Sequence, residues 1–77
     1  MSNPMEYLSK HIGSTVLVTL KGGTWIRGIF RSYDAHLNLI LDDAEEIIQN
    51  GESGEHSVRK LGKVLIRGDT VVFISPV

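Results

Sequence analysis

Val64-Leu65-Ile66-Arg67-Gly68-Asp69-Thr70-Val71-Val72-Phe73-Ile74-Ser75-Pro76 sets two apolar runs on either side of a tight polar connection built around glycine. The runs are rich in β-branched residues and read as two strands, residues 58–66 and 70–75, with Pro76 closing the second. Neither Val64-Leu65-Ile66 nor Val71-Val72-Phe73-Ile74 alternates apolar with polar, so both faces of these strands call for burial. One small barrel has only one inside. A neighbouring copy pairing edge to edge would cover the second face and the exposed edges, which otherwise invite aggregation. If each copy offers one edge and accepts another, the contact is head to tail and closes into a ring. The competing arrangement covers both surfaces with the helix and loops of a single chain.

Upstream, Ser2-Asn3-Pro4-Met5-Glu6 has the form of a helix start, with Asn3 as N-cap, Pro4 in the first helical position and Glu6 placed to complete a capping box. Met5, Leu8 and Ile12 then form one apolar stripe on a short helix ending near Gly13. The period changes to two from Thr15 to Leu20, and Lys21-Gly22-Gly23 supplies a turn into a second strand over residues 24–33. In that strand Ile26, Gly28 and Phe30 share one face and Trp25, Arg27, Ile29 and Arg31 the other, with Gly28 marking a bend. A third strand is expected from Leu37 to Ile48, apolar at first and acidic from Asp42 to Glu46, followed by a polar loop over residues 49–56. The expected architecture is mostly β: a short N-terminal α-helix, then a five-stranded, strongly bent antiparallel barrel of the SH3-like or OB-like kind, in one domain spanning residues 1–77.

A lone domain of 77 residues buries a modest share of its surface and needs additional stabilisation. Disulfides are excluded because cysteine is absent, and His11, His36 and His56 have no metal-ligand spacing, so neither a metal nor any other cofactor is called for. Assembly remains. With eight Lys and Arg against nine Asp and Glu, the formal charge of −1 excludes coating nucleic acid by bulk positive charge, so any such site must be local. No apolar run approaches the roughly 20 residues of a membrane span and no signal-like start is seen, so a soluble, cytoplasmic protein without a membrane partner is expected.

The unexplained polarity concentrates in two short loops, Asp34-Ala35-His36-Leu37-Asn38 and Arg67-Gly68-Asp69, which this topology places at one end of the barrel. Together they supply an imidazole and a guanidinium, flat groups that stack on bases, an amide that can read a base edge, and two carboxylates to orient them. Singly, each has a plainer use: a loop histidine bonded to a carbonyl, or aspartates stabilising turns. The combination favours a base pocket, and repetition of such pockets around a ring would raise the apparent affinity by effective concentration. Asp42 to Glu46 reads as a solvated face in preference to a cation site, Lys21, Lys60 and Lys63 as solubilising, and Trp25 as either packed or stacking. No nucleophile with a positioned base appears, so the chain is not expected to be an enzyme.

The two loops with their flanking strands resemble the two halves of the signature of the Sm and Sm-like (LSm) proteins, most nearly the archaeal ones. The first half resembles residues 12–47, through Leu20-Lys21-Gly22-Gly23, Arg27-Gly28, Tyr33-Asp34-Ala35-His36-Leu37-Asn38-Leu39 and Asp43-Ala44-Glu45-Glu46. The second resembles residues 58–76, through Val64 to Pro76, and residues 49–56 form a variable loop between them. The resemblance implies an Sm-fold barrel in which strand four of one subunit pairs with strand five of the next around a homo-oligomeric ring, typically of seven subunits. It implies pore-rim pockets for single-stranded, uridine-rich RNA. In these His36 and Arg67 sandwich uracil, Asn38 reads its edge, Asp34 and Asp69 hold Asn38 and Arg67, and the backbone of Gly68 lines the pocket. It also implies a second, outer RNA surface near Tyr33 and Lys10, and RNA-processing proteins as further partners. The Arg-Gly-Asp form of the second loop differs from the lysine-histidine motif of six-membered bacterial rings, while Trp25 and the length of the loop at 49–56 depart from the archaeal pattern. The expected function is a non-catalytic RNA-binding ring, a scaffold or chaperone in RNA processing or turnover; the alternatives are an SH3-like protein-interaction module and a purely structural ring.

Overall fold

A computed structural model describes residues 3–49 and 51–77, and of Ser53 the backbone only; Ser2 of the helix-start motif and Asn50 of the variable loop lie outside the described residues. The chain runs through α1 (Pro4–Lys10), β1 (Thr15–Leu20), β2 (Trp25–Tyr33), β3 (Leu39–Gln49), β4 (His56–Ile66) and β5 (Val71–Pro76), with single 3-10 turns at Gly51–Ser53 and Gly68–Thr70. All strand pairs are antiparallel in one sheet of order β4-β3-β2-β1-β5. The first and last strands of that order are therefore its edges, and in the single chain the barrel is left open between β4 and β5.

Asn3 caps α1 by accepting the Met5 amide at 2.8 Å, and Pro4 occupies the first turn. The helix stops at Lys10, three residues short of the expected end near Gly13. Gly13 takes φ +90° and donates its amide to the Phe30 carbonyl at 2.7 Å, while the Phe30 amide donates to Ser14 at 2.9 Å, so the chain leaves the helix by docking on β2. That early stop corrects the expected stripe: Leu8 is buried and Met5 packs against the core, but Ile12 is exposed.

The core is a single cluster of Leu8, Val16, Val18, Ile26, Phe30, Leu39, Leu41, Ala44 and Ile66. Alternation in β2 is as the side-chain period requires, with Ile26, Gly28 and Phe30 inward. Burying Phe30 or Leu41 completely is worth about 2 kcal/mol each. The sheet bends where Gly28 meets β3: a Cβ there would lie 3.1 Å from both the Ala44 Cα and the Asp42 carbonyl oxygen. The β2–β3 register shifts between Arg27 and Ile29, and the β3–β4 register shifts between Leu41 and Ala44, where Asp43 has φ +48°.

Two further boundaries differ from the sequence reading by two residues, and the start of β2, the end of β3 and both ends of β5 by one. Leu37 is not the first residue of β3; it sits in the preceding loop at φ +61°. At the far end β4 begins at His56, inside the expected loop, because His56 and Ser57 continue the ladder opposite Gln49 and Ile48. The acidic stretch is a partnered surface: Arg27 bonds Glu45, Arg31 bonds Asp42 at 2.6 Å, Arg59 bonds Glu46 at 2.7 Å, and Lys63 approaches Asp42 at 3.7 Å. The bond from Arg31 holds the Asp42 carboxyl below its ordinary range. Trp25 is half-buried on the outer face, opposite Thr19 and Ile47.

Candidate nucleic-acid interface

β2 and β3 deliver the first loop, and β4 and β5 the second, to the same end of the sheet. In the first loop Asp34 acts as the organiser. Its Oδ1 accepts the amides of His36 at 2.9 Å and Asn38 at 3.0 Å, and its Oδ2 accepts the side-chain Nδ2 of Asn38 at 3.0 Å. The loop closes on itself through Leu37 N–H to Asp34 C=O at 3.0 Å and Asp34 N–H to Asn38 C=O at 3.2 Å. Led by the Asn38 side chain, these donors hold the Asp34 carboxyl below its ordinary value of 3.8.

Asn38 joins the loops. Its Oδ1 accepts the Gly68 amide at 2.8 Å, so one side chain bonds Asp34 behind it and Gly68 across the gap. Gly68 is required here by space: an added Cβ would fall on the His36 carbonyl oxygen and lie 2.7 Å from the Leu37 carbonyl carbon. Within the second loop, Asp69 Oδ2 accepts from Arg67 Nη2 at 2.7 Å, and Thr70 Oγ1 donates to the Arg67 carbonyl at 2.7 Å. The result is an open depression lined by His36, Asn38, Arg67 and Asp69. Arg67 remains 74% exposed along its side chain, so the guanidinium presents its face to solvent while Asp69 fixes its direction.

The structure thus brings together all six residues assigned to the pocket: Asp34, His36, Asn38, Arg67, Gly68 and Asp69. The two assigned to an outer surface, Tyr33 and Lys10, do not line that depression. The Tyr33 hydroxyl donates to the Met5 carbonyl at 3.1 Å and its ring lies 5.8 Å from that of Phe30, so the side chain ties α1 to the sheet. Lys10 ends α1 in solvent.

Two residues of the junction escaped the sequence reading. Thr70 folds the second loop through a hydroxyl bond three residues back, a use its position after Gly68-Asp69 could have signalled. Leu37 adopts a left-handed conformation, costing about 1–3 kcal/mol for a non-glycine residue, which no propensity of leucine announces.

An LSM-domain family model matches residues 6–76, and the chain belongs to that family. It is 56% identical over 73 residues to an snRNP Sm-like protein of Archaeoglobus fulgidus, covering 95% of this chain and 88% of that protein. Among solved structures, the P. aerophilum SmAP1 heptamer superposes with a TM-score of 0.88 at 45% identity, covering 100% of this chain and 96% of that one. The Sm protein of Pyrococcus abyssii in complex with a uridine heptamer superposes with a TM-score of 0.81 at 42% identity, covering 99% and 100%.

Proposed function

We propose that this protein is a non-catalytic ring of identical copies, seven by analogy with the heptameric relative, that binds single-stranded uridine-rich RNA as a scaffold or chaperone in RNA processing or turnover. Each copy contributes one pocket. Uracil lies between the His36 ring and the Arg67 guanidinium, Asn38 reads its edge, and Asp34 and Asp69 hold the reading and stacking groups in place. The two halves of the pocket, from residues 12–47 and 58–76, work as a single domain, and β4 of one copy pairs with β5 of the next. Tyr33 and Lys10 form the secondary RNA surface, RNA-processing proteins join the ring as partners, and the site of action is cytoplasmic.

The observation that supports this reading most directly is the double tether of Asn38. An amide that can flip reads donor and acceptor in either order, but here Nδ2 is bound to Asp34 and Oδ1 to Gly68. Each atom keeps one hydrogen-bonding position for a ligand, in a fixed order. Uracil and cytosine present opposite orders of acceptor and donor on adjacent ring positions, so a fixed amide accepts one and opposes the other. The uridine complex of the P. abyssii relative supports uracil as the one accepted.

The test is a fluorescence-anisotropy titration of labelled oligo-uridine, oligo-cytidine and oligo-adenosine at one stated salt concentration, on protein whose mass is known from light scattering. Binding selective for uridine by a particle of about seven subunits is expected. His36→Ala and Arg67→Ala should each remove a stacking contact worth about 1–3 kcal/mol per base without changing the particle's mass. A monomer, or a ring that binds all three oligomers alike, would sink the reading.

A further inference from the structure

The junction of the two loops has a second side that the base pocket does not use. Leu37 stands between His36 and Asn38 at φ +61° and is 40% exposed. With Tyr7, Gly68, Val72 and Phe73 it lines an apolar groove between α1 and β5. Gly68 belongs to both sides: its amide bonds Asn38 in the pocket, and it also lines the groove, with no room for a Cβ against the backbone of His36 and Leu37.

A leucine in the left-handed region is held there by its surroundings. In the single chain the described support is the Leu37 amide's bond to Asp34 and the backbone contact with Gly68, while the side chain lies in an uncovered groove. That groove runs along β5, where Val72 is 57% and Phe73 54% exposed, and β5 is an edge of the sheet. The opposite edge, β4, offers apolar side chains of its own, with Leu65 67% and Val58 48% exposed. A second copy's β4 seated on β5 would bring these apolar groups to the groove that Leu37 shares with Val72 and Phe73.

We propose that Leu37 is a positioning residue through which the neighbouring copy sets the base pocket. The next copy's β4 edge, seated on β5, packs Leu37 into the groove and steadies residues 36–38, so that the bonds the single chain already makes around Asn38 are held more firmly in the assembled ring. This rests on the ring and base-binding reading above. Coupling of this kind is reciprocal: RNA in the pocket must also strengthen the contact between copies.

The experiment compares Leu37→Ala, Leu37→Gly and Leu37→Met with the native protein, by particle mass, oligo-uridine affinity, and hydrogen exchange at the amides of Asn38, Gly68 and, as a core reference, Phe30. Leu37→Ala should form particles of native mass yet bind oligo-uridine about tenfold more weakly, within the range typical of coupled sites. Its Asn38 and Gly68 amides should lose protection while Phe30 does not. Leu37→Met should restore both affinity and protection. Leu37→Gly, free of backbone strain but lacking the side chain, should stay weak. Native-like uridine affinity in Leu37→Ala or in Leu37→Gly overturns the proposal. So does a Leu37→Ala protein that no longer assembles, because Leu37 would then serve assembly rather than positioning. A native ring indifferent to uridine, in which Leu37→Ala still loses Asn38 and Gly68 protection, would sink the base-binding reading and leave the coupling standing.

Discussion

Asn38 holds the candidate pocket together because it is the side chain bonded to both loops, to Asp34 at 3.0 Å and to the Gly68 amide at 2.8 Å. Replacing it by alanine removes both bonds, and Asn38→Ala should cost about 0.5–1.5 kcal/mol per bond in denaturant-measured stability and abolish uridine selectivity in the titration. Gly68→Ala acts through volume. Its methyl would press on backbone atoms of His36 and Leu37 that have no flexible end to yield, so a loss of about 1–3 kcal/mol is expected from thermal unfolding, with the loops forced apart. Asp34 gives the site a pH dependence whose sign follows from its partners. Its folded-state carboxyl lies below the ordinary 3.8, so its contribution is complete above that value and fades as pH falls through the lower, folded one. Uridine affinity should therefore lack an Asp34-dependent change between pH 7 and about 5 and fall below 3.8. Asp34→Asn places a donor or a weaker acceptor against the Asn38 donors, so this variant should bind weakly at neutral pH and show a shallower acid limb. An acid limb identical to the native one would count against Asp34 as the organiser.

At the scale of elements, the position of the pocket depends on how sharply β2 and β3 bend. Gly28 lets β3 approach to a separation that a side chain would block, at the same place where the register of both flanking ladders shifts. Gly28→Val should destabilise by about 1–3 kcal/mol in a denaturant titration, more than its β propensity could offset, because the added methyls meet the Ala44 and Asp42 backbone. The bend, the helix start and the run of β1 were legible in the sequence because each depends on residues close in the chain: Asn3 before Pro4, Gly28 amid β-branched neighbours, two glycines after Leu20. The end of α1 and the start of β3 were not. Gly13 and Phe30 pair across the fold at the end of the one, and the Gly68 amide bonds Asn38 just before the other, and neither contact has a local signal.

For the whole molecule the decisive feature is the pair of unmatched edges. β4 and β5 expose Val58, Leu65, Val72 and Phe73 although the core cluster is complete without them. Phe73→Asp or Leu65→Asp should leave the single chain folded, by circular dichroism, but reduce the particle to monomers or small species in light scattering. Oligo-uridine affinity should fall with it, because isolated pockets lose the effective concentration a ring provides. Full-sized particles from both variants would show that assembly uses another surface.

By itself the sequence determined the class of fold, the apolar edge strands and the six residues proposed for the pocket, five by their side chains and Gly68 by its backbone. Hydrophobic period, turn chemistry and the joint presence of two loop motifs are properties of residues near one another in the chain. Only the tertiary structure decided how those side chains meet. The bond from Gly68 to Asn38 spans 30 residues, the steric demand for glycine comes from a carbonyl on the opposite loop, and the left-handed turn of Leu37 runs against its own preference. Each depends on where the sheet brings two distant loops, and that is fixed by the bend and register of the whole sheet.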